Sequence, residues 1–206
     1  MNETLKNALI LCAITLIAGI LLGGVYEMTK APRREQEIKA QNKAYNYVFD
    51  KADKFNEVDM EDLLESLSDA LGKEDITNKN VLVSSVVEAI SEDELLGYVI
   101  SVTNKEGFGG DITFSVGIDL KYQVTGVYIL SMSETAGLGM NAQNPEFLDQ
   151  YKVSNSGLFI TNKVDSAEGT NIDALTGATI TSKAMTKGVN AAIITAKVIV
   201  SEREVV

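Results

Sequence analysis

Hydrophobic residues are most concentrated near the N-terminus, where positions 8–26 read ALILCAITLIAGILLGGVY without a single charged side chain. At about 1.5 Å of helical rise per residue, this run approaches the ~30 Å hydrocarbon thickness of a bilayer. A cleaved signal peptide is the alternative interpretation. Its apolar region is usually shorter, about 7–15 residues, and no small-residue cleavage site follows before the charged segment 27–34. The pattern therefore favours a single N-terminal transmembrane helix that is retained.

Two further helical segments are predicted between this span and position 71. The charged segment 33–49 is helix-prone, and Pro32 before it suits the first position of a helix. Segment 59–71 then predicts a second helix, because its apolar residues recur at helical spacing, namely Met60, Leu63, Leu64, Leu67 and Leu71.

From position 81 onward the period changes to that of strands. Four β-branched runs, separated by Asp, Asn and Gly, predict an antiparallel meander with strands at 81–90, 96–103, 112–120 and 124–132. Pro145 opens a short helical patch. The last helix is indicated by apolar residues at helical offsets, namely Met185, Val189, Ala192, Ile193, Ala196 and Val200. The predicted fold class is α+β, a transmembrane helix followed by one domain with an antiparallel sheet and flanking helices.

Composition excludes several kinds of chemistry. The 206 residues contain no His and only one Cys, so a Ser-His-Asp triad, an imidazole metal site and a thiolate cluster are all excluded. We therefore expect no metal site, and any redox chemistry has to come from a bound group. The net charge of −11 argues against a nucleic-acid partner. Because Glu3 and Lys6 cancel, all of this charge lies on residues 27–206.

A cluster of hydroxyl residues, Thr179, Thr181 and Ser182, stands at the predicted start of the last helix. Unpaired amides and the helix dipole favour an anion such as phosphate at such a position, and Lys183 and Lys187 could add positive charge. The alternative is an ordinary hydroxyl cap beside two solvated lysines. The residues alone leave both interpretations open.

Three sequence segments resemble the motifs of one known family. Residues 173–179, DALTGAT, are similar to a flavinylation signature in which a dedicated flavin transferase joins FMN to the last threonine through a phosphoester. Residues 134–139, ETAGLG, are similar to an ETPGLG segment, with Ala136 in place of the usual proline, and 107–110, GFGG, to a Gly-aromatic-Gly-Gly loop. With the N-terminal span, these resemble the FMN-binding domain family that includes the G subunit of the Rnf complex and the C subunit of the sodium-translocating NADH:quinone reductase.

The resemblance implies a role for each matching residue. Thr179 would carry covalent FMN, Asp173 would be read by the transferase, and the attachment turn would consist of Thr176, Gly177 and Ala178. Glu134 and Thr135 would hydrogen-bond polar edges of the flavin. The full set of implied FMN-binding residues is Glu134, Thr135, Gly137, Leu138, Gly139, Gly107, Phe108, Gly109, Gly110 and Lys183.

The family also implies a function. The chain has no dinucleotide fingerprint, which favours an electron relay over a stand-alone dehydrogenase. It would pass electrons between other subunits of an Rnf-type ferredoxin:NAD oxidoreductase coupled to Na⁺ or H⁺ translocation, and would be inactive alone. Its partners would be those subunits, the membrane and the flavin transferase. The alternatives are a quinone-reductase C subunit, a non-covalent FMN carrier, or an anchored non-redox ligand-binding module.

Two further expectations concern organisation and topology. We divide the chain into an anchor at 1–30, a helical stalk and first helices at 31–75, and the FMN-binding domain at 76–206. Family membership implies that this domain faces the extracytoplasmic side of the cell membrane. Basic residues after the span, at Lys30, Arg33 and Arg34 among others, indicate the opposite orientation by the positive-inside rule.

Overall fold

The first helix, α1, runs from Glu3 to Val48. The computed structural model describes residues 3–77, 79–153, 157–161 and 169–204, and the chain divides into two units, Met1–Gln41 and Asn42–Val206. Within the first unit, α1 is exposed along its apolar stretch and is long and apolar enough to cross a membrane. The predicted helix start at Pro32 is wrong, because α1 continues through Pro32. Helix-forming residues on both sides outweigh the one hydrogen bond that proline removes.

The second unit is built on a five-stranded antiparallel sheet in the order β1-β2-β3-β4-β5. The strands are β1 Lys54–Glu57, β2 Val81–Ser91, β3 Glu94–Asn104, β4 Ile112–Asp119 and β5 Val124–Ser131. The predicted four-stranded meander is therefore confirmed. Strand β1 was not predicted, because its four residues, KFNE, are too short and polar to show a period.

Helices cover one face of this sheet. Helix α2, Leu64–Lys73, follows a 3₁₀ turn at Glu61–Leu63, and helix α4 spans Thr179–Glu204. A short helix α3, Pro145–Leu148, leads into a 3₁₀ turn at Asp149–Tyr151. The predicted second helix, proline-initiated patch and last helix are thus confirmed. A 3₁₀ turn at Gly139–Gln143 and two short parallel strands that the sequence did not indicate, β6 Phe159–Thr161 and β7 Thr170–Ile172, complete the described elements.

The larger core lies between the sheet and α4. Phe114 on β4 is fully buried, and its ring packs against the backbone of Gly188 on α4. The opposite face of the sheet is covered by the end of α1, where Ala44, Tyr45 and Val48 pack against strand residues including Val99. Cover on both faces explains why β3 is buried at every position from Gly97 to Val102 instead of at alternate positions. The α+β class is confirmed.

Polar contacts inside the core fix the position of α4. The Asn104 amide, at the end of β3, donates to the Ala184 carbonyl at 2.7 Å. Tyr151 and Thr186 share a hydrogen bond of 2.9 Å, and Thr161 donates to Thr186 at 2.9 Å. Burial raises the pKa of the Tyr151 phenol, although its bond to Thr186 acts in the opposite direction. These contacts attach the first three turns of α4 to the sheet and to the α3 region.

Replacing Phe114 with Ala should destabilise the domain, since it leaves a cavity beside Gly188. We expect a loss of about 3–5 kcal/mol, hence a fall in Tm of roughly 6 °C or more. The measurement is thermal unfolding of the detergent-solubilised full chain, followed by tyrosine fluorescence. Phe108→Ala is the matched control, because Phe108 is 69% exposed. Equal Tm values for the two variants would contradict the assigned core.

Candidate functional site

A cavity of about 370 Å³ opens beside the start of α4. Three separate segments line it: the loop between β3 and β4, the segment after β5, and the first turn of α4 with the residues before it. The lining residues are Phe108, Glu134, Thr135, Leu138, Gly139, Gly177, Ala178, Thr179, Ile180 and Thr181. All three segments singled out from the sequence thus meet at one place.

The turn before α4 is held by a side chain inside the helix. Ser182 Oγ accepts a hydrogen bond from the Leu175 N–H at 3.0 Å and donates one to the Ala178 carbonyl at 3.0 Å. Gly177 sits between them with φ of +75°, a conformation that costs a residue with a Cβ more than it costs glycine. Ser182 is the fourth residue of α4, so it is not an N-cap, and its hydroxyl instead links the two ends of the turn that precedes the helix.

The hydroxyl residues at the helix start differ in exposure. Thr179 is the first helical residue and is exposed, whereas Thr181 and Ser182 are 1% and 0% exposed. The first turn of any α-helix leaves backbone N–H groups without intrahelical partners. Together with the helix dipole, these amides favour an anionic group next to Thr179. Within residues 173–182, Thr179 is the hydroxyl that both lines the cavity and is exposed.

Glu134 brings a buried carboxyl group to the same cavity. Its side chain is oriented by the Gly109 N–H, which donates to Oε1 at 3.2 Å. Two side-chain atoms in the described part of the chain are buried without a hydrogen-bond partner, Glu134 Oε2 and Thr181 Oγ1. Both lie beside Gly139, where a Cβ would come within 2.5 Å of Glu134 Oε2 and 2.9 Å of Thr181 Oγ1. Both residues line the cavity, although these two oxygens are themselves closed to solvent.

Large apolar side chains surround the mouth of the cavity. Phe108, Leu138 and Ile180 are 69%, 43% and 52% exposed. Exposed apolar residues that cluster at one cavity indicate a binding surface, whereas single exposed residues need no explanation. The site combines an apolar rim, buried polar atoms and a helix start, which suits a ligand with an apolar body, a polar edge and a negative charge.

Several predicted site residues lie outside the cavity lining. Asp173 is exposed, and its backbone N–H donates to Gln150 Oε1 at 2.7 Å. Thr176 is exposed in the turn. The remaining glycines shape the loops that line the cavity, at Gly107, Gly109, Gly110 and Gly137.

Lys183 is not brought to this cavity. It is exposed and lines a second cavity of about 250 Å³ with Glu74, Asp75 and Lys187. Lys183 lies four residues after Thr179. This separation moves it about 6 Å along the helix axis, away from the helix start. Lys187 is ion-paired with Glu106 at 3.0 Å. Neither Lys183 nor Lys187 is among the residues that line the cavity beside Thr179.

Sequence reasoning missed Ile180, and it placed Thr181 in the hydroxyl cluster at the helix start without predicting its buried position. Ile180 contributes to the apolar rim, and Thr181 contributes a buried, unpartnered hydroxyl. The apolar period of α4 partly indicated that Thr181 is buried, because Thr181 lies four residues before the buried Met185 and shares its face of the helix. The unpartnered state of its hydroxyl depends on Glu134 and Gly139, which are distant in sequence.

Comparison with protein families matches residues 107–194 to the family described as FMN-binding domain and residues 1–48 to the family described as RnfG N-terminal region. The G subunit of the proton-translocating ferredoxin:NAD(+) oxidoreductase complex of Clostridium ljungdahlii is 33% identical over 188 residues, covering 91% of this chain and 87% of that protein. The G subunit of the Na(+)-translocating ferredoxin:NAD(+) oxidoreductase complex of Acetobacterium woodii is 32% identical over 191 residues, with 91% and 89% covered.

Among solved structures, the crystal structure of Shewanella oneidensis NqrC matches with a TM-score of 0.43 at 17% identity. The match covers 56% of this chain and 61% of that chain.

Replacing Ser182 with Ala should loosen the turn before α4. The change leaves the Leu175 N–H without its acceptor, at an expected cost of about 1–3 kcal/mol. Hydrogen exchange measured by mass spectrometry should show faster exchange of the Leu175 amide in peptides covering 173–182. Ser201→Ala is the control, because Ser201 Oγ donates only to the nearby Val198 carbonyl on the same helix. Unchanged exchange at Leu175 would refute the assigned role of Ser182.

Proposed function

The chain belongs to the family of G subunits of ion-translocating ferredoxin:NAD(+) oxidoreductase complexes, and from this premise we propose that it carries FMN covalently on Thr179 and relays electrons within such a complex. One observation carries the proposal. Thr179 presents an exposed hydroxyl at the start of α4, on a cavity that has an apolar rim and is also lined by Glu134 and Thr135.

The residues present fit FMN. The first amides of α4 suit its phosphate, and Phe108 and Leu138 offer apolar surface to its ring. Glu134 and Thr135, which line the same cavity, offer polar groups to the ligand. When bound, FMN supplies the electron chemistry, for which the chain itself has neither His nor a thiolate cluster.

Exposure supports Thr179 as the acceptor of the phosphoester. A transferase has to reach the hydroxyl, and Thr181 and Ser182 are buried. In the proposed reaction, Thr179 Oγ would lose its proton to a base of the transferase and bond to the phosphorus of a flavin dinucleotide held by that enzyme. The phosphoanhydride bond breaks and the second nucleotide leaves. The two hydrogen bonds of Ser182 fix the turn before α4, while Thr179 remains accessible.

A covalent link suits this domain for an electrostatic reason. Residues 27–206 carry all of the net charge of −11, which repels a free anionic nucleotide. A tether keeps the effective concentration of the cofactor high whatever its intrinsic affinity. The open rim of the site lets neighbouring subunits approach the cofactor, as a relay requires.

The protein is anchored in the membrane by α1. We propose that its domain lies on the extracytoplasmic side, as the family resemblance implies. Other subunits of the complex can fix this topology against the positive-inside rule, which counts only the basic residues of the chain itself. The divisions at 1–30, 31–75 and 76–206 stay part of this proposal.

Replacing Thr179 with Ala should abolish covalent loading, since it removes the acceptor oxygen. The full chain is co-expressed with a flavin transferase, and ultraviolet fluorescence is read after denaturing electrophoresis. We expect a fluorescent band in the unmodified chain and in the control Thr77→Ala, which changes an exposed threonine elsewhere. A band of undiminished intensity in Thr179→Ala would exclude this acceptor.

Cysteine labelling tests the orientation. In a Cys12→Ala background, Lys121→Cys places a thiol at the exposed turn between β4 and β5, and Glu3→Cys places one before the span. A membrane-impermeant maleimide should label the first in cells whose outer layers have been made permeable, and the second only after lysis. The reverse labelling pattern would establish the orientation that charge counting indicates.

A further inference from the structure

The backbone of residue 173 is bound by one side chain from a distant part of the chain. The Asp173 N–H donates to Gln150 Oε1 at 2.7 Å, and Gln150 Nε2 donates to the Asp173 carbonyl at 3.3 Å. Both polar backbone groups of one residue are thus paired with a single amide, much as two residues exchange hydrogen bonds in an antiparallel ladder. Gln150 lies 23 residues before Asp173, so the contact is tertiary and does not belong to a local turn.

The backbone that carries Gln150 is fixed to the core. Gln150 belongs to the 3₁₀ turn at Asp149–Tyr151, and the next residue, Tyr151, is fully buried. The Tyr151 ring meets Phe147 and Phe159 edge to face, with ring centroids 5.8 and 5.3 Å away. Because a packed aromatic residue adjoins it, Gln150 extends from a defined position.

The segment before α4 is fixed on both sides of Ala174. Ile172, at the end of β7, is fully buried, and the Leu175 N–H donates to Ser182 Oγ at 3.0 Å. Gln150 adds a fixed point at the residue between these two contacts, residue 173. The backbone from 172 to 175 therefore has one defined course.

The fixed backbone leaves the side chains that a transferase can contact exposed. Asp173, Thr176 and Thr179 are all exposed. Asn171 Nδ2 donates to Asp173 Oδ1 at 3.1 Å, which orients the carboxylate. An enzyme that binds this segment meets the three side chains in one arrangement, and little conformational freedom of the segment is lost on binding.

We infer that Gln150 is a positioning residue for the attachment of FMN to Thr179, an inference that rests on the proposed function. Gln150 is not among the residues that line the cavity beside Thr179, so it acts through the backbone of residue 173 and not on the reacting atoms. The transferase then recognises the shape of the folded segment as well as its side chains. Loss of the Gln150 amide should weaken this recognition and leave the transfer step itself unchanged.

The test measures transfer to the full chain, purified in detergent without its cofactor. Purified transferase and flavin adenine dinucleotide are added over a range of chain concentrations, and initial rates are read as covalent fluorescence after denaturing electrophoresis. Gln150→Met keeps the length of the side chain and removes both hydrogen bonds. We expect KM for the chain to rise about fivefold or more, because the backbone loses these bonds, while kcat stays the same.

Gln143→Met is the matched control. Gln143 is also an exposed glutamine, and its amide lies 3.7 Å from the Met140 sulfur. Its replacement should leave both KM and kcat unchanged. Thermal unfolding of each chain is measured first, and the assay is run well below the lowest Tm, so that unfolded substrate does not alter KM.

Hydrogen exchange tests the same contact without relying on a variant. In the unmodified full chain, the Asp173 amide should exchange slowly, because it donates to Gln150. Exchange of this amide at the rate of an unprotected one would overturn the inference.

The outcomes separate this inference from the proposed function. Equal KM values for Gln150→Met and the unmodified chain, with flavin attached to both, would overturn the role of Gln150 and leave the covalent FMN intact. A fall in kcat with unchanged KM would also overturn that role. Absence of covalent flavin on the unmodified chain would instead overturn the proposed function.

Discussion

The site depends on how the start of α4 is fixed to the sheet. Asn104, at the end of β3, donates to the Ala184 carbonyl, and Ser182 bridges Leu175 and Ala178 across the turn. The helix is thereby attached on both sides of Thr179, which stays exposed between the two contacts. A reactive hydroxyl on a mobile terminus would be presented in many orientations. Here, buried neighbours hold the backbone while the hydroxyl is left accessible.

The second fixed element is the loop between β3 and β4. Its Gly109 amide holds one oxygen of Glu134, so the loop and the segment after β5 position each other. Gly139 then lies in contact with Glu134 and next to Thr181. Residues more than forty positions apart thus depend on one another, since a side chain at Gly139 would collide with both Glu134 and Thr181.

Much of the fold follows from local patterns, whereas much of the site does not. The β-branched runs and the apolar positions of α4 have strong periods, so the meander and the last helix could be located from the sequence. The four residues of β1 carry no such pattern, and their pairing with β2 depends on tertiary context. Pro32 is a strong local signal that the surrounding helix overrides.

The three sequence motifs predicted where the cavity lies, because they contribute backbone and glycine residues at specific points around it. Lys183 lies outside it for a geometric reason: sequence spacing gives the face of a helix, but the cavity faces the helix start and not the turn below it. The role of Thr181 could not be predicted, because an unpartnered hydroxyl is defined by what surrounds it. The proposed tether also changes what the site has to provide. If a covalent link retains the cofactor, the site need not supply binding energy for retention.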